Sequence, residues 1–445
     1  MKIRRRQFLG GLGTGLLSGL AMGAPIPKTW RPLSRRKAVT VQNSARNVIF
    51  ILLEGGPSHV DTFDLKLDLN SPNFLGATNL GGYQWPAGTM PKLAARADKF
   101  SILRSINAVE AVHERAIYHL STAHRQNAAL VGEIPHFSSV LSYKFASQRN
   151  SSDTLPTAMK VGDRSTGAGF LGAAHNALSL DGSGGVRNLN HVFDGANQRL
   201  ALLDATLDRW APSRTDLRSD HLGNLREARQ MMEDEELITL LGGDEQGDEE
   251  FEPKAEFLRQ CATAVRVIEA NKGTRVFQMQ LGGWDHHIDI YNPNDPYSLA
   301  GLSGALDEGF AYLLDELAAK PASSGNGTLL DETLVIAMGE FGRTVDGLNT
   351  SNGRDHYPDV APAILAGGGV KGGRAIGASN ANGSYITDRG WSRSRLMGIN
   401  DLVATLYSAL GVDWSERFED TPSGRVFEMV DTVSGPAFEI DSLFN

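Results

Sequence analysis

The stretch GGWDHHIDI, residues 282–290, sets an aspartate and two histidines side by side directly after an apolar run, RVFQMQL at residues 275–281. On an extended strand end, two-residue spacing sends Asp285 and His287 to one side and His286 to the other. A carboxylate and an imidazole on one side can share a divalent ion, since zinc and manganese accept oxygen and nitrogen donors at about 2.0–2.2 Å. Three further polar groups occur far away in the chain. EGGPSHVDTFD, residues 54–64, carries Glu54, Ser58, His59, Asp61 and Asp64. GEFGRT, residues 339–344, carries Glu340 and Arg343, and NGRDHYPD, residues 352–359, carries Arg354, Asp355 and His356.

The elements that must position these groups are four short apolar segments: NVIFILL (residues 47–53), RVFQMQL, TLVIAM (333–338) and PAILAG (362–367). Uniform hydrophobicity without alternation predicts strands covered on both faces, as in a parallel sheet. Between them, residues 298–320 repeat Leu302, Leu306, Phe310, Leu313, Leu314 and Leu317 at three- and four-residue spacing, giving one apolar helical face. Residues 399–411 read as another helix. The pattern predicts a layered α/β fold with a mainly parallel central sheet covered by helices. Ligands bind such sheets at the carboxyl ends of strands. Three of the polar groups follow a strand and the fourth immediately precedes one. Taken singly, each group reads equally well as turn-capping polar residues; together at strand ends they favour a metal or catalytic site.

The 445-residue chain has a formal net charge of -9 and 41% apolar residues, an ordinary globular composition. Its first residues, MKIRRRQFLGGLGTGLLSGLAMGA, place a basic cluster before a Gly- and Leu-rich stretch with a small-residue exit. That is the layout of an export signal, and Arg5 and Arg6 before Gln7, Phe8 and Leu9 resemble the twin-arginine type. Cleavage near residue 24 removes Lys2, Arg4, Arg5 and Arg6 and no acid, so the charge moves from -9 to -13. An acidic product has no general attraction for nucleic acid, and nothing would insert it stably in a membrane after cleavage. The expected location is the periplasm or cell surface. Cys261 is the only cysteine, so an internal disulfide is excluded. Its setting predicts a buried core thiol. Residues 25–45 read as a linker and 46–445 as the α/β domain, with a charge-rich helical insertion at 188–266.

Four quoted motifs, LLEGGPSHVDTFD, GGWDHH, GEFGRT and NGRDHYPDVAPAILAGGG, follow in this order after a twin-arginine signal. Together they resemble the exported bacterial family known as domain of unknown function 1501, over residues 46–443. That family is similar in fold to the alkaline phosphatase and sulfatase superfamily. The resemblance implies that Asp285 and His287 form an Asp/His ligand pair and that His356 is the last ligand of one metal site. It places Glu54 in the position of a first-strand aspartate ligand. It also places Glu340 where an Asp-His pair would stand, with Phe341 in the second place. In AVEAVHERAIYHLSTAHR, residues 108–125, His113 occupies the position of the usual hydroxyl or cysteine nucleophile. Imidazole there suits a metal ligand, a general base or a phosphoryl acceptor.

Two functions follow. One is a metal-dependent hydrolase of phosphate or sulfate esters, acting on a small anionic ester or a sulfated glycan. Zinc or manganese, with calcium as a further candidate, would polarise the ester; Arg343 or Arg354 would clamp the anion, and His113 or His59 would move the proton. The other is a binding or assembly protein that keeps the fold with an eroded site. The geometric expectation is that Asp285 and His287, but not His286, meet His356, with His113 and Glu340 one shell further out.

Overall fold

The computed structural model describes residues 39–67, 71–162, 167–181, 235–241, 252–419, 421–433 and 435–445, with the isolated positions 202 and 205. The export signal and most of the expected insertion lie outside the described residues.

Nine strands form one sheet: β1 (Asn47–Leu52), β2 (Phe100–Asn107), β3 (Ala158–Val161), β4 (Leu178–Leu180), β5 (Val276–Gln280), β6 (Thr333–Met338), β7 (Ala361–Ala366), β8 (Arg374–Ile376) and β9 (Met397–Gly398). Their order is β8-β2-β7-β6-β1-β5-β3-β4, with β9 also beside β2. All pairings are parallel except those of β7, which runs antiparallel to both β2 and β6.

The apolar runs form strands because both faces are covered. Along β1, Val48 and Phe50 join one core while Ile49 and Ile51 join the other, and β6 divides likewise between Leu334, Ile336, Met338 and Val335, Ala337. One core is closed by helices α1 (His113–Thr122), α2 (Phe137–Phe145) and α5 (Ile399–Ala409); the other by α3 (Pro253–Ala270) and α4 (Leu299–Ala319). Cys261 lies buried in α3, within the second core. Full burial of each Ile or Phe contributes about 1.5–3 kcal/mol, so every alternate position on these strands is held. Among the described residues no helix is long and apolar enough to cross a membrane.

Register decides what the sheet presents at its edge. Leu52 of β1 pairs with Gln280 of β5 and with Met338 of β6, so these three strands end level and their loops leave side by side. Because β7 is reversed, the segment before it, not the one after it, reaches the same edge. Its Ala361 lies opposite Ile106 of β2, whose exit leads to α1.

Candidate metal centre

Four loops meet at this edge and are stitched together through their backbones. Glu54 donates its N–H to Leu281 and accepts from Trp284. Gly55, at φ +111°, lies so close to residues 284 and 285 that any Cβ would overlap the Trp284–Asp285 peptide. Residues 342–343 and 356–357 pair antiparallel, with His356 opposite Arg343, which folds the GEFGRT and NGRDHYPD segments back on each other. Gly353 is pressed on the backbone of His286 and His287, and Arg354 N–H donates to the His286 carbonyl at 2.8 Å.

The side chains of His113, Asp285, His287 and His356 converge there. Asp285 Oδ1 lies 3.3 Å from His113 Nε2, 3.1 Å from His287 Nε2 and 3.2 Å from His356 Nε2. The two Nε2 atoms of His287 and His356 are 2.9 Å apart. One donor atom each from His113, Asp285 and His356 falls within 4.8 Å of the other two, the one such group among the described residues.

The second nitrogen of each ring explains the convergence. His113 Nδ1 donates to Glu340 Oε1 at 2.6 Å, His287 Nδ1 to Asp355 Oδ1 at 2.8 Å, and His356 Nδ1 to the Ala111 carbonyl at 2.8 Å. In the neutral tautomer that places each ring's proton on Nδ1, toward its carboxylate or carbonyl, Nε2 is left with a lone pair directed at Asp285. Three lone pairs and a carboxylate oxygen therefore point at one another. His113 Nε2 is enclosed and has no hydrogen-bond partner. In that tautomer the donor set fits a divalent ion, with an acceptor behind each imidazole to orient it.

The electrostatics keep Asp285 ionised, as a ligand must be. Burial alone would raise the Asp285 carboxyl, but the Arg343 guanidinium, 2.5 Å away, with His356 and His113 nearby, holds it at about 2. The Glu340 hydrogen bond raises His113, whereas burial lowers His356. Asp285, Glu340 and Asp355 against Arg343 leave a formal charge of -2, the complement of one divalent ion.

The remaining residues singled out by sequence are placed as follows. His286 turns away, buried, with Nε2 donating to the Tyr297 carbonyl at 2.8 Å. The Glu54 carboxylate accepts a hydrogen bond from the Gln280 side-chain amide. His59 is fully buried, donating from Nε2 to the Gly383 carbonyl at 2.9 Å and accepting the Arg343 N–H at Nδ1, so it cannot reach a ligand at the cluster. Arg343 is fully buried, with its guanidinium on the carbonyls of Gly55, Gly56 and Arg354 as well as on Asp285. Arg354 is 1% exposed and pairs with Asp61 at 2.9 Å, donating also to Thr344 and Tyr291. Both arginines brace the loops and neither offers the anion clamp that their sequence setting suggests.

Three contributors take roles that the sequence did not give them. Asp355 stands behind His287, and its only sequence signal is proximity to His356. The Ala111 carbonyl is main chain and has no signal. Phe341, which in sequence replaces a ligand, is fully buried with its ring 4.9 Å from that of His113 and 4.5 Å from that of His356. It forms an apolar floor beneath the two imidazoles.

The chain belongs to the family described as protein of unknown function (DUF1501), whose model matches residues 45–440. A search of curated proteins found no match. Solved structures with similar folds include Ps i-CgsB in complex with k-i-k-neocarrahexaose, with TM-score 0.40, 12% identity, and coverage of 83% of this chain and 72% of that one. A protein in the alkaline phosphatase superfamily from Vibrio parahaemolyticus has TM-score 0.38 and 12% identity, covering 93% and 76%. The C-terminal periplasmic domain of EcEptC from Escherichia coli, in complex with Zn, has TM-score 0.38 and 11% identity, covering 86% and 87%. At these scores the likenesses carry no argument about chemistry, which rests on the residues of this chain.

Proposed function

We propose that the protein is a metal-dependent hydrolase of phosphate or sulfate esters with one divalent ion, zinc or manganese, held by His113, Asp285 and His356. The observation that carries this reading is the convergence of the His113 and His356 Nε2 atoms on Asp285, each ring anchored through Nδ1. With His287 kept for proton transfer and outside the coordination shell, these three ligands would leave an open position, as catalytic sites do. A bound ion would supply Lewis acidity, polarising an ester oxygen and acidifying a water.

The chain's own groups do the rest. His287 is the most exposed of the three imidazoles, with Asp355 behind its Nδ1, a carboxylate–imidazole pair suited to moving a proton at Nε2. Glu340 keeps the proton on Nδ1 of His113, and Gly55 N–H fixes Glu340 in turn at 3.0 Å. Phe341 excludes water from beneath the rings. Among the described residues no serine, threonine or cysteine joins His113, Asp285, His287 and His356, which favours direct attack by water over a covalent intermediate. We further propose that the protein is exported, as the twin-arginine pattern in residues 1–24 suggests; replacing Arg5 and Arg6 by lysine should then retain it in the cytoplasm.

The test is metal analysis of the purified protein together with hydrolysis of p-nitrophenyl phosphate and sulfate esters, before and after chelation. One ion per chain, with hydrolysis lost on chelation and restored by metal, supports the reading. Absence of metal binding, or esterase activity indifferent to chelator, sinks it.

A further inference from the structure

We infer that the site accepts a tetrahedral oxyanion carrying a single negative charge on an uncharged body, a sulfate monoester or a phosphodiester, and discriminates against the dianion of a phosphate monoester. The inference rests on the metal-site reading above and adds the charge of the substrate to it.

The first observation is that, among the described residues, the loops at the mouth carry no cation without a protein partner. The loops that build the mouth, residues 54–65, 108–115, 282–298 and 339–360, contain three arginines, no lysine and twelve acidic residues. Arg343 and Arg354 are enclosed and tied to protein oxygens. Arg115 is paired with Glu110 at 3.1 Å. A dianion needs cations beyond a single metal, because the charge of that metal is already balanced by Asp285, Glu340 and Asp355 against Arg343. A monoanion binds with one uncompensated charge, a dianion with two.

The second observation is the surface around the mouth. Val112 and Ile288, the neighbours of His113 and His287, are 42% and 68% exposed, and Val109 is 45% exposed. Exposed apolar side chains on the segments that carry His113 and His287 suit an uncharged substrate body. The acids interspersed with them, including exposed Glu114 and Asp355, repel a polyanion.

The test uses the full chain loaded with cobalt(II), read by visible absorption so that binding is followed without turnover. Methyl sulfate, dimethyl phosphate and phenyl phosphate are titrated at pH 8, where the first two are monoanions and the third a dianion. At least one monoanion should perturb the cobalt bands at a tenfold lower concentration than phenyl phosphate. Equal or tighter binding of phenyl phosphate overturns the inference and leaves the hydrolase reading standing. Silence toward all three anions with cobalt bound overturns both, as does failure to bind cobalt. Binding of a monoanion without hydrolysis of either p-nitrophenyl sulfate or bis(p-nitrophenyl) phosphate sustains the inference and sinks the hydrolase; turnover of one of them separates the two sources. In Glu114→Lys the preference should move several-fold toward phenyl phosphate, and an unchanged ratio contradicts the charge argument.

Discussion

His113 donates a hydrogen bond from Nδ1 to Glu340 at 2.6 Å and turns an enclosed Nε2 toward Asp285 Oδ1, 3.3 Å away. The pair fixes which nitrogen is available, and does so from a glutamate that is itself 1% exposed and held by Gly55 N–H. A carboxylate buried to this degree, beside a ring it orients, serves the ring.

Glu340→Gln keeps the size and removes the charge. Metal affinity, measured by competition with a chromogenic chelator, should fall by about 10–100-fold, the usual cost of losing an outer partner of a ligating histidine. Unchanged affinity would show that His113 is not a ligand.

His287→Ala and His286→Ala separate adjacent residues. The first should retain the ion and lower the rate by about 10²–10⁴, as expected for loss of a proton carrier. The second should leave both metal content and rate near those of the parent, because His286 faces Tyr297. Loss of the ion in His287→Ala would make His287 a fourth ligand instead.

Gly353→Ala drives a methyl group into the His286–His287 backbone. Overpacking of this kind costs about 1–3 kcal/mol. Calorimetry should show a lower Tm, and metal content should fall because the displaced segment carries Asp355 and His356.

A pH effect is expected far from the cluster. His136, the N-cap of α2, accepts hydrogen bonds at Nδ1 from Ser138 N and Oγ at 3.1 and 2.9 Å, and the Gln278 amide lies 3.1 Å from Nε2. Burial, with a smaller effect of Lys160, pushes its imidazole down to about 3. Below its ordinary value of about 6.5 the unfolded chain takes up a proton that the folded chain refuses, so stability falls as pH drops from about 6.5 toward 3, by at most about 1.4 kcal/mol per unit. His136→Asn keeps a capping oxygen and removes the titration. Its Tm should therefore fall less steeply than the parent's between pH 6 and 4; parallel profiles would assign the acid sensitivity elsewhere.

The strands were legible because two-sided burial leaves an uninterrupted apolar run, seen in NVIFILL and TLVIAM alike. The direction of β7 was not, since a strand covered on both faces looks the same read either way. That reversal is nonetheless what brings His356 to Asp285. Asp285, His287 and His356 could be grouped from residue type and strand-end position alone. The roles of Arg343 and Arg354 could not, because an arginine spent on backbone carbonyls and one waiting for an anion have the same sequence appearance. His59 misleads for a related reason: it sits in the right loop, and only packing shows that its ring is tied to Gly383 and the Arg343 backbone.

The reversed β7 has a consequence for the order of assembly. Asp285 and His356 are 71 residues apart, and His356 is fixed by a carbonyl 245 residues away. Closing such separations costs chain entropy before any donor meets another, which makes these late contacts in a slow, topologically non-local fold. An ion held there would meet a complete donor set only after β1, β5, β6 and β7 have paired. It would then act as a latch on the finished molecule, retarding unfolding while leaving the refolding rate untouched.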